Sequence, residues 1–169
     1  MATIRLTATE SSAGTSGTAC SKAGILPTAA NNQATNRWYG LYSISKTYTV
    51  AENSVQSSMI WGSQYDAMLN WVKNGNSADK DKITTQGIGN NSSGSVTTTG
   101  NATYSNDSIN NIRDLGGNLY EWTLEARATN SRVLRGGNYT HSYSPGCRDR
   151  DNPDDTNGDN GSRLTLYIK

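Results

Sequence analysis

Between Asn76 and Asp107 the chain runs almost wholly through Asn, Ser, Thr, Gly, Asp and Lys, with little periodicity. Such a stretch reads as one or two long loops, which in a compact domain are uncommon and usually functional or mobile. The rest of the chain must therefore supply most of the core. The same bias pervades the whole sequence: Gly, Ser, Thr and Asn make up about 45% of its 169 residues, far from the usual soluble mixture. Hydrophobic residues are 33% and mean hydropathy is −0.70. Disorder would bring few aromatics and a large net charge. Instead there are four Trp, nine Tyr and no Phe, with a formal net charge of +1. The expectation is a folded, loop-rich single domain, residues 1–169, whose core leans on large rings. Nine Tyr without Phe point to rings with one wet edge.

Charge and hydropathy exclude several classes. A pI near 7.7 lacks the basic stripe of a nucleic-acid binder, and Arg132 and Arg135 are too few to track phosphates. No stretch approaches the length of a membrane span, and Met1–Thr18 has no apolar core of signal-peptide length. Cys20 and Cys147 lie far apart and belong to no C-x-x-C pair, so a zinc or thioredoxin reading has no support. Two free thiols are expected, with pairing as the alternative.

Local patterns give a coarse map. Residues 1–35 are small and polar and read as a loose N-terminal arm, with an apolar cluster at Ile25-Leu26-Pro27. Within the arm, Ile4 and Leu6 alternate with polar neighbours as in a short strand. Trp38-Tyr39-Gly40-Leu41-Tyr42 begins the first strongly apolar stretch. A helix is predicted over Ser63–Asn74: Tyr65, Met68, Leu69 and Val72 share one face, Ser63 and Asp66 resemble a capping box, and Gly75 is a stop. Strands are predicted at Tyr120–Leu124, Arg132–Leu134 and Arg163–Ile168. In the last, Leu164, Leu166 and Ile168 alternate with Arg163, Thr165 and Tyr167 and give one buried face.

The C-terminal third carries a resemblance. Asp114-Leu-Gly-Gly-Asn-Leu-Tyr-Glu-Trp-Thr123 is similar to the Gly-Asn-Val-Trp-Glu-Trp signature of the formylglycine-generating (sulfatase-modifying-factor) family. Arg132-Val-Leu-Arg-Gly-Gly-Asn-Tyr139 resembles that family's Arg-Val-x-Arg-Gly-Gly-Ser-Trp, and Gly161-Ser162-Arg163 its Gly-Phe-Arg. The recognisable core is 108–169, and Ser58–Val72 matches the family's first helix. The resemblance implies an α+β, C-type-lectin-like fold: a small twisted antiparallel sheet, one or two helices and long loops. Within it, Trp122 is expected as a core anchor, and Arg135 and Arg163 as scaffold.

The family's enzymes oxidise a substrate cysteine with a copper-binding cysteine pair placed between the Gly-Gly turn and the following arginine. Here that interval, Asn138 to Cys147, holds one cysteine, next to Arg148 and at neither catalytic position. One thiolate cannot make the two-coordinate site that Cu(I) prefers, and His141 is the only histidine, so no Cys–His arrangement replaces it. The chain is expected not to be an enzyme, a cysteine oxidase being the alternative. The resemblance also implies a structural calcium at Asp114 and Glu121 with the carbonyls of Gly117 and Leu119, plain sheet-edge carboxylates being the alternative; no cofactor is required.

A second resemblance is to the variable proteins of diversity-generating retroelements, which share this fold. There a C-terminal repeat is rewritten at adenines, chiefly in AAY codons for Asn. Randomising the first two bases of AAY never yields Lys, Gln, Glu, Met or Trp, and none of these occurs from Asn138 to Asn160. This implies a recognition surface built from Tyr139, Thr140, His141, Tyr143, Asp149, Asp151, Asn152, Asp155 and Asn157. Tyr supplies contact area at low entropic cost and short polar residues adapt their hydrogen bonds, as in antibody loops; a plain solvated loop is the alternative. The implied partner is a protein or glycan on another cell, with the chain on a bacterial surface or phage particle. A third reading is a virion structural domain without a ligand. Read as a calcium loop, Asp149–Asp159 does not fit the EF-hand form, because Pro153 interrupts it and no bidentate Glu follows.

Overall fold

The computed structural model describes residues 5–9, 18–20, 37–46, 55–75, 78–99, 101–155 and 157–168. Among the described residues, seven strands and two α-helices follow one another: β1 (Arg5–Thr9), β2 (Thr18–Cys20), α1 (Trp38–Ser45), β3 (Val55–Met59), α2 (Gly62–Asn74), β4 (Tyr120–Ala128), β5 (Ser131–Arg135), β6 (Arg148–Asp151) and β7 (Asn160–Ile168). The strands join in the order β2-β1-β7-β4-β5-β6, with β3 also paired to β7. Among the described residues only β4 and β7 run parallel, Tyr120 opposite Asn160; the sheet is mixed within an α+β fold. Ile60 closes the gap where they diverge: its N–H donates to the Arg163 carbonyl at 2.9 Å, and its own carbonyl accepts from the Leu124 N–H at 3.0 Å.

Period-two alternation sends the sheet's two faces into two cores. Tyr120, Trp122 and Leu134 pack with Trp38, Leu41 and Ile44 of α1 and with Met59; Trp122 is fully buried, as expected. On the other face, Tyr65, Leu69 and Val72 of α2 pack with Ile60, Ile83, Ile88, Ile109, Ile112 and Leu115, and Met68 leans on them. The long polar stretch thus contributes after all: Ile83 and Ile88 are its buried anchors. They end or follow a short 3-10 turn, Lys80–Ile83, and lie too far apart to register as periodicity. Ile109 and Ile112 are joined by a two-residue turn in which Asn110 and Asn111 both adopt positive φ, 48° and 65°, a conformation that Asn tolerates.

Several expectations need adjusting. Leu6 lies in β1, which pairs with β7 (Arg5 opposite Arg163) and with β2, so parts of the supposed arm belong to the sheet. Ile4 and Ile25–Pro27 lie outside the described residues. The α2 cap is not Ser63 with Asp66. The N-cap is Trp61, whose N–H donates to Gln64 Oε1 at 3.0 Å, because Asp66 is drawn to two arginines, Arg135 and Arg148. Helix α1 was legible only as an apolar stretch. Strand β6, Arg-Asp-Arg-Asp, has no apolar alternation at all, and its charges suit the sheet edge it occupies.

Candidate recognition site

The site begins where β5 ends. Arg135 turns back toward α2, bonds Asp66 and lies 4.7 Å from the Tyr65 ring. Gly136 follows with φ +72°, and a side chain there would come within 2.7 Å of the Leu115 carbonyl oxygen. At Gly137 a Cβ would sit 2.9 Å from the His141 carbonyl oxygen and 3.0 Å from that of Gly116. The two glycines therefore let residues 138–143 fold tightly onto the sheet.

Asn138, fully buried, pins that segment. Its Oδ1 accepts from the Thr140 N–H at 2.9 Å, the Thr140 hydroxyl at 2.9 Å and the His141 N–H at 2.7 Å. Its Nδ2 donates to Asp159 across the gap to β7. The Tyr139 N–H donates to the Asn118 carbonyl at 3.1 Å. Asn118, itself buried with φ +68°, bonds Asp114 Oδ2 at 3.1 Å and the Thr97 carbonyl at 2.9 Å. A stack of buried amides thus holds the loop from beneath.

Above it the aromatic side chains converge. His141 and Tyr143 stack with centroids 6.0 Å apart and planes 7° from parallel. Tyr120 lies 6.5 Å from His141 and 6.2 Å from Tyr143. Thr140 and His141 are exposed, Tyr139 and Tyr143 half-buried. Burial, then the charge of Asp149, raises the Tyr120 hydroxyl well above the usual phenol range. Burial followed by Asp159 raises Tyr139.

The remaining expected residues form a second group. Asp149 is exposed on β6, on the face toward Tyr120. Beyond it Asp151 Oδ2 accepts from Asn157 Nδ2 at 2.9 Å, Asn152 Oδ1 accepts from the Asp154 N–H at 3.0 Å, and the Asp155 N–H donates to the Asn152 carbonyl at 3.0 Å. Burial, then the hydrogen-bonding carboxyl of Asp155, raises Asp151 above the ordinary Asp value. This loop rests on the α1 core through the Trp38 N–H, which reaches the Pro153 carbonyl at 3.2 Å. The sequence reading missed Tyr120, Asn138 and Asp159. Asn138 carried a signal, since Asn commonly bonds backbone two residues on; Tyr120 lay hidden inside the Glu-Trp block.

The calcium set does not fit. Glu121 is fully buried and gives both carboxylate oxygens to Arg163, so a guanidinium already balances its charge. The Gly117 carbonyl accepts from the Leu119 N–H at 2.9 Å, and Asp114 is engaged by Asn118. At the expected calcium residues Asp114, Gly117, Leu119 and Glu121 the structure places a buried ion pair with an amide network beside it. Cys147 is a free, half-buried thiol. Burial, then Asp149, raises its pKa, which disfavours the thiolate that nucleophiles and copper ligands require.

The model of the sulfatase-modifying factor enzyme 1-like domain matches residues 18–168. The chain belongs to this family. No curated protein matches the sequence. Among solved structures, CarF is similar with a TM-score of 0.53 at 15% identity, over 79% of this chain and 66% of that one. Treponema denticola variable protein 1 matches with a TM-score of 0.47 at 21% identity, over 68% of this chain and 48% of that one. The chain thus spans less than two thirds of either. Among the described residues no helix is long and apolar enough to cross a membrane.

Proposed function

We propose that this member of the sulfatase-modifying-factor family is a non-catalytic ligand-binding domain, a variable protein of a diversity-generating retroelement. Its recognition surface runs from Tyr139 through Thr140, His141 and Tyr143 to Asp149 on β6, with Asn152 and Asp155 at its rim. The observation that carries the reading is a division of labour within one short segment. Buried Asn138 and the Gly136-Gly137 turn fix the backbone, while the side chains at 140 and 141 point to solvent above a fixed Tyr120. A backbone held by residues other than those that face the ligand is what a diversifiable surface needs, because substitutions then alter recognition and not folding. The absence of Lys, Gln, Glu, Met and Trp from Asn138 to Asn160 supports the same reading, as does the single cysteine of that interval, half-buried Cys147, for the non-catalytic part. The partner is a protein or glycan on another cell, met from a bacterial surface or phage particle.

A displayed library randomised at Thr140, His141, Tyr143, Asp149, Asn152 and Asp155 tests this. Selection against several unrelated proteins and glycans should return specific binders that melt close to the parent. A library whose members unfold, or that yields no binder to any target, would sink the proposal.

A further inference from the structure

The charges of β6 are sorted by strand geometry. Successive side chains point to opposite faces, so Arg148 and Arg150 share one face and Asp149 and Asp151 the other. Arg148 is neutralised there by Glu125, at 2.8 Å, and by Asp66. The front face keeps the acids: Asp149 beside Tyr120, and Asp159 beneath Tyr139 and bonded to Asn138. Among the described residues neither Asp149 nor Asp159 forms a salt bridge.

The rings of the molecule point the same way. Lys46 lies 3.8 Å from the centre of Tyr42, and Arg132, the cross-strand neighbour of Asp151, lies 4.9 Å from the Trp38 ring. Lys46 and Arg132 are thus already placed over rings of the α1 core. The Tyr120, His141 and Tyr143 group has two carboxylates near it, yet among the described residues no cation lies over any of its rings. The negative face of a tyrosine ring, beside carboxylates that form no salt bridge among the described residues, attracts a positive charge.

From this arrangement we infer that the recognition surface takes a protein ligand that presents an arginine or lysine side chain to the His141 and Tyr143 rings, which lie over the buried Tyr120, with Asp149 as its charge partner. The inference rests on the proposed recognition surface and names what that surface selects. A planar guanidinium suits it best, because it stacks on rings and donates to a carboxylate at once.

The test uses the full chain and three probes: an acetylated, amidated Gly-Arg-Gly-Arg-Gly peptide, its uncharged citrulline counterpart and maltohexaose. Nuclear magnetic resonance shifts report binding at each ring. The arginine peptide should shift the Tyr120, His141 and Tyr143 resonances, and the citrulline peptide should not. Asp149→Asn should weaken the arginine peptide by about 2- to 5-fold, as loss of one exposed charge contact implies, with an unchanged melt. Salt at about 0.5 M should weaken it further. Equal shifts from the citrulline peptide, or shifts from maltohexaose alone, would overturn the cationic ligand and leave a recognition surface of other specificity. Silence of the three rings toward every probe would overturn it as well. Failure of the underlying reading shows separately, as a library without binders.

Discussion

Arg163 on β7 reaches across the parallel pairing to Glu121 on β4, and each side chain is 1% exposed. The Arg163 Nε donates to Glu121 Oε2 at 2.9 Å, and Nη2 donates to Oε1 and to the Arg113 carbonyl, 3.1 Å away. One guanidinium thus ties two strands and the loop before β4. Two charges out of water are tolerable only with this completeness of pairing.

Removing one partner should therefore be severe. Glu121→Ala leaves a buried guanidinium uncompensated and should cost about 3–5 kcal/mol in urea denaturation. The double change to Glu121→Met with Arg163→Met should cost much less, since it removes both charges. A single substitution no more harmful than the double would show that the pair is not a coupled unit. The same geometry predicts that a chelator leaves the thermal midpoint unchanged; a drop on chelation, reversed by calcium, would restore the metal at Asp114 and Glu121 by mass action.

Asp79 makes a prediction about acid. Its Oδ2 accepts from the Asn110 N–H at 2.9 Å, and Lys82 lies 2.8 Å from Oδ1. The Asn110 N–H first, then Lys82, holds this carboxyl below its ordinary 3.8. A depressed folded-state value contributes stability that is fully present above 3.8 and fades as pH falls through the lower value. Asp79→Asn should flatten the loss of stability below about pH 4. An unchanged acid slope would remove Asp79 from that role.

How much of this was legible depends on where the physics is local. The face of α2 and the strands β4, β5 and β7 follow from periodicity, and Trp122 and Arg163 from the family blocks. Ile83 and Ile88 could not be read, because an isolated apolar residue in a polar loop says nothing about what it will meet. Strand β6 was invisible for a similar reason: its alternation is of charge sign, which matters only once β5 lies beside it. Asn138 was read only as the boundary of the surface stretch. Its burial arises from the chain returning on itself at Gly136-Gly137, a tertiary event. The Glu121–Arg163 pairing could not be read because the two lie 42 residues apart, beyond any motif.

The proposal predicts no formylglycine-forming activity. Incubated with copper and a cysteine-containing sulfatase peptide, the protein should leave the cysteine unmodified. Burial, then Asp149, raises the Cys147 pKa, and no second cysteine lies between Gly137 and Arg148. Aldehyde formation lost on Cys147→Ser would establish a one-cysteine oxidase and overturn the assignment.

The last prediction separates the surface from what holds it. Thr140, His141, Asp149, Asn152 and Asp155 are exposed, and exposed substitutions away from caps and strained turns usually change stability within about 0.5 kcal/mol. Their replacement by Ala or Ser, singly and in groups, should leave the melt nearly unchanged. Asp151 and Asn157 brace the β6–β7 loop through their 2.9 Å bond and should cost more, on the order of 1 kcal/mol. Asn138→Ala strands the Thr140 and His141 N–H groups, which should cost about 1–3 kcal/mol. Trp122→Ala should cost about 3–5 kcal/mol through the cavity it leaves. Gly137→Ala forces a methyl against the His141 and Gly116 carbonyls and should displace the rings as well as destabilise. Thermal and urea melts of each variant decide this, with the His141 and Tyr143 ring resonances as a local gauge. If the exposed set destabilises the protein as much as Asn138→Ala or Trp122→Ala does, those side chains hold the fold together, and a surface free to vary is the wrong description.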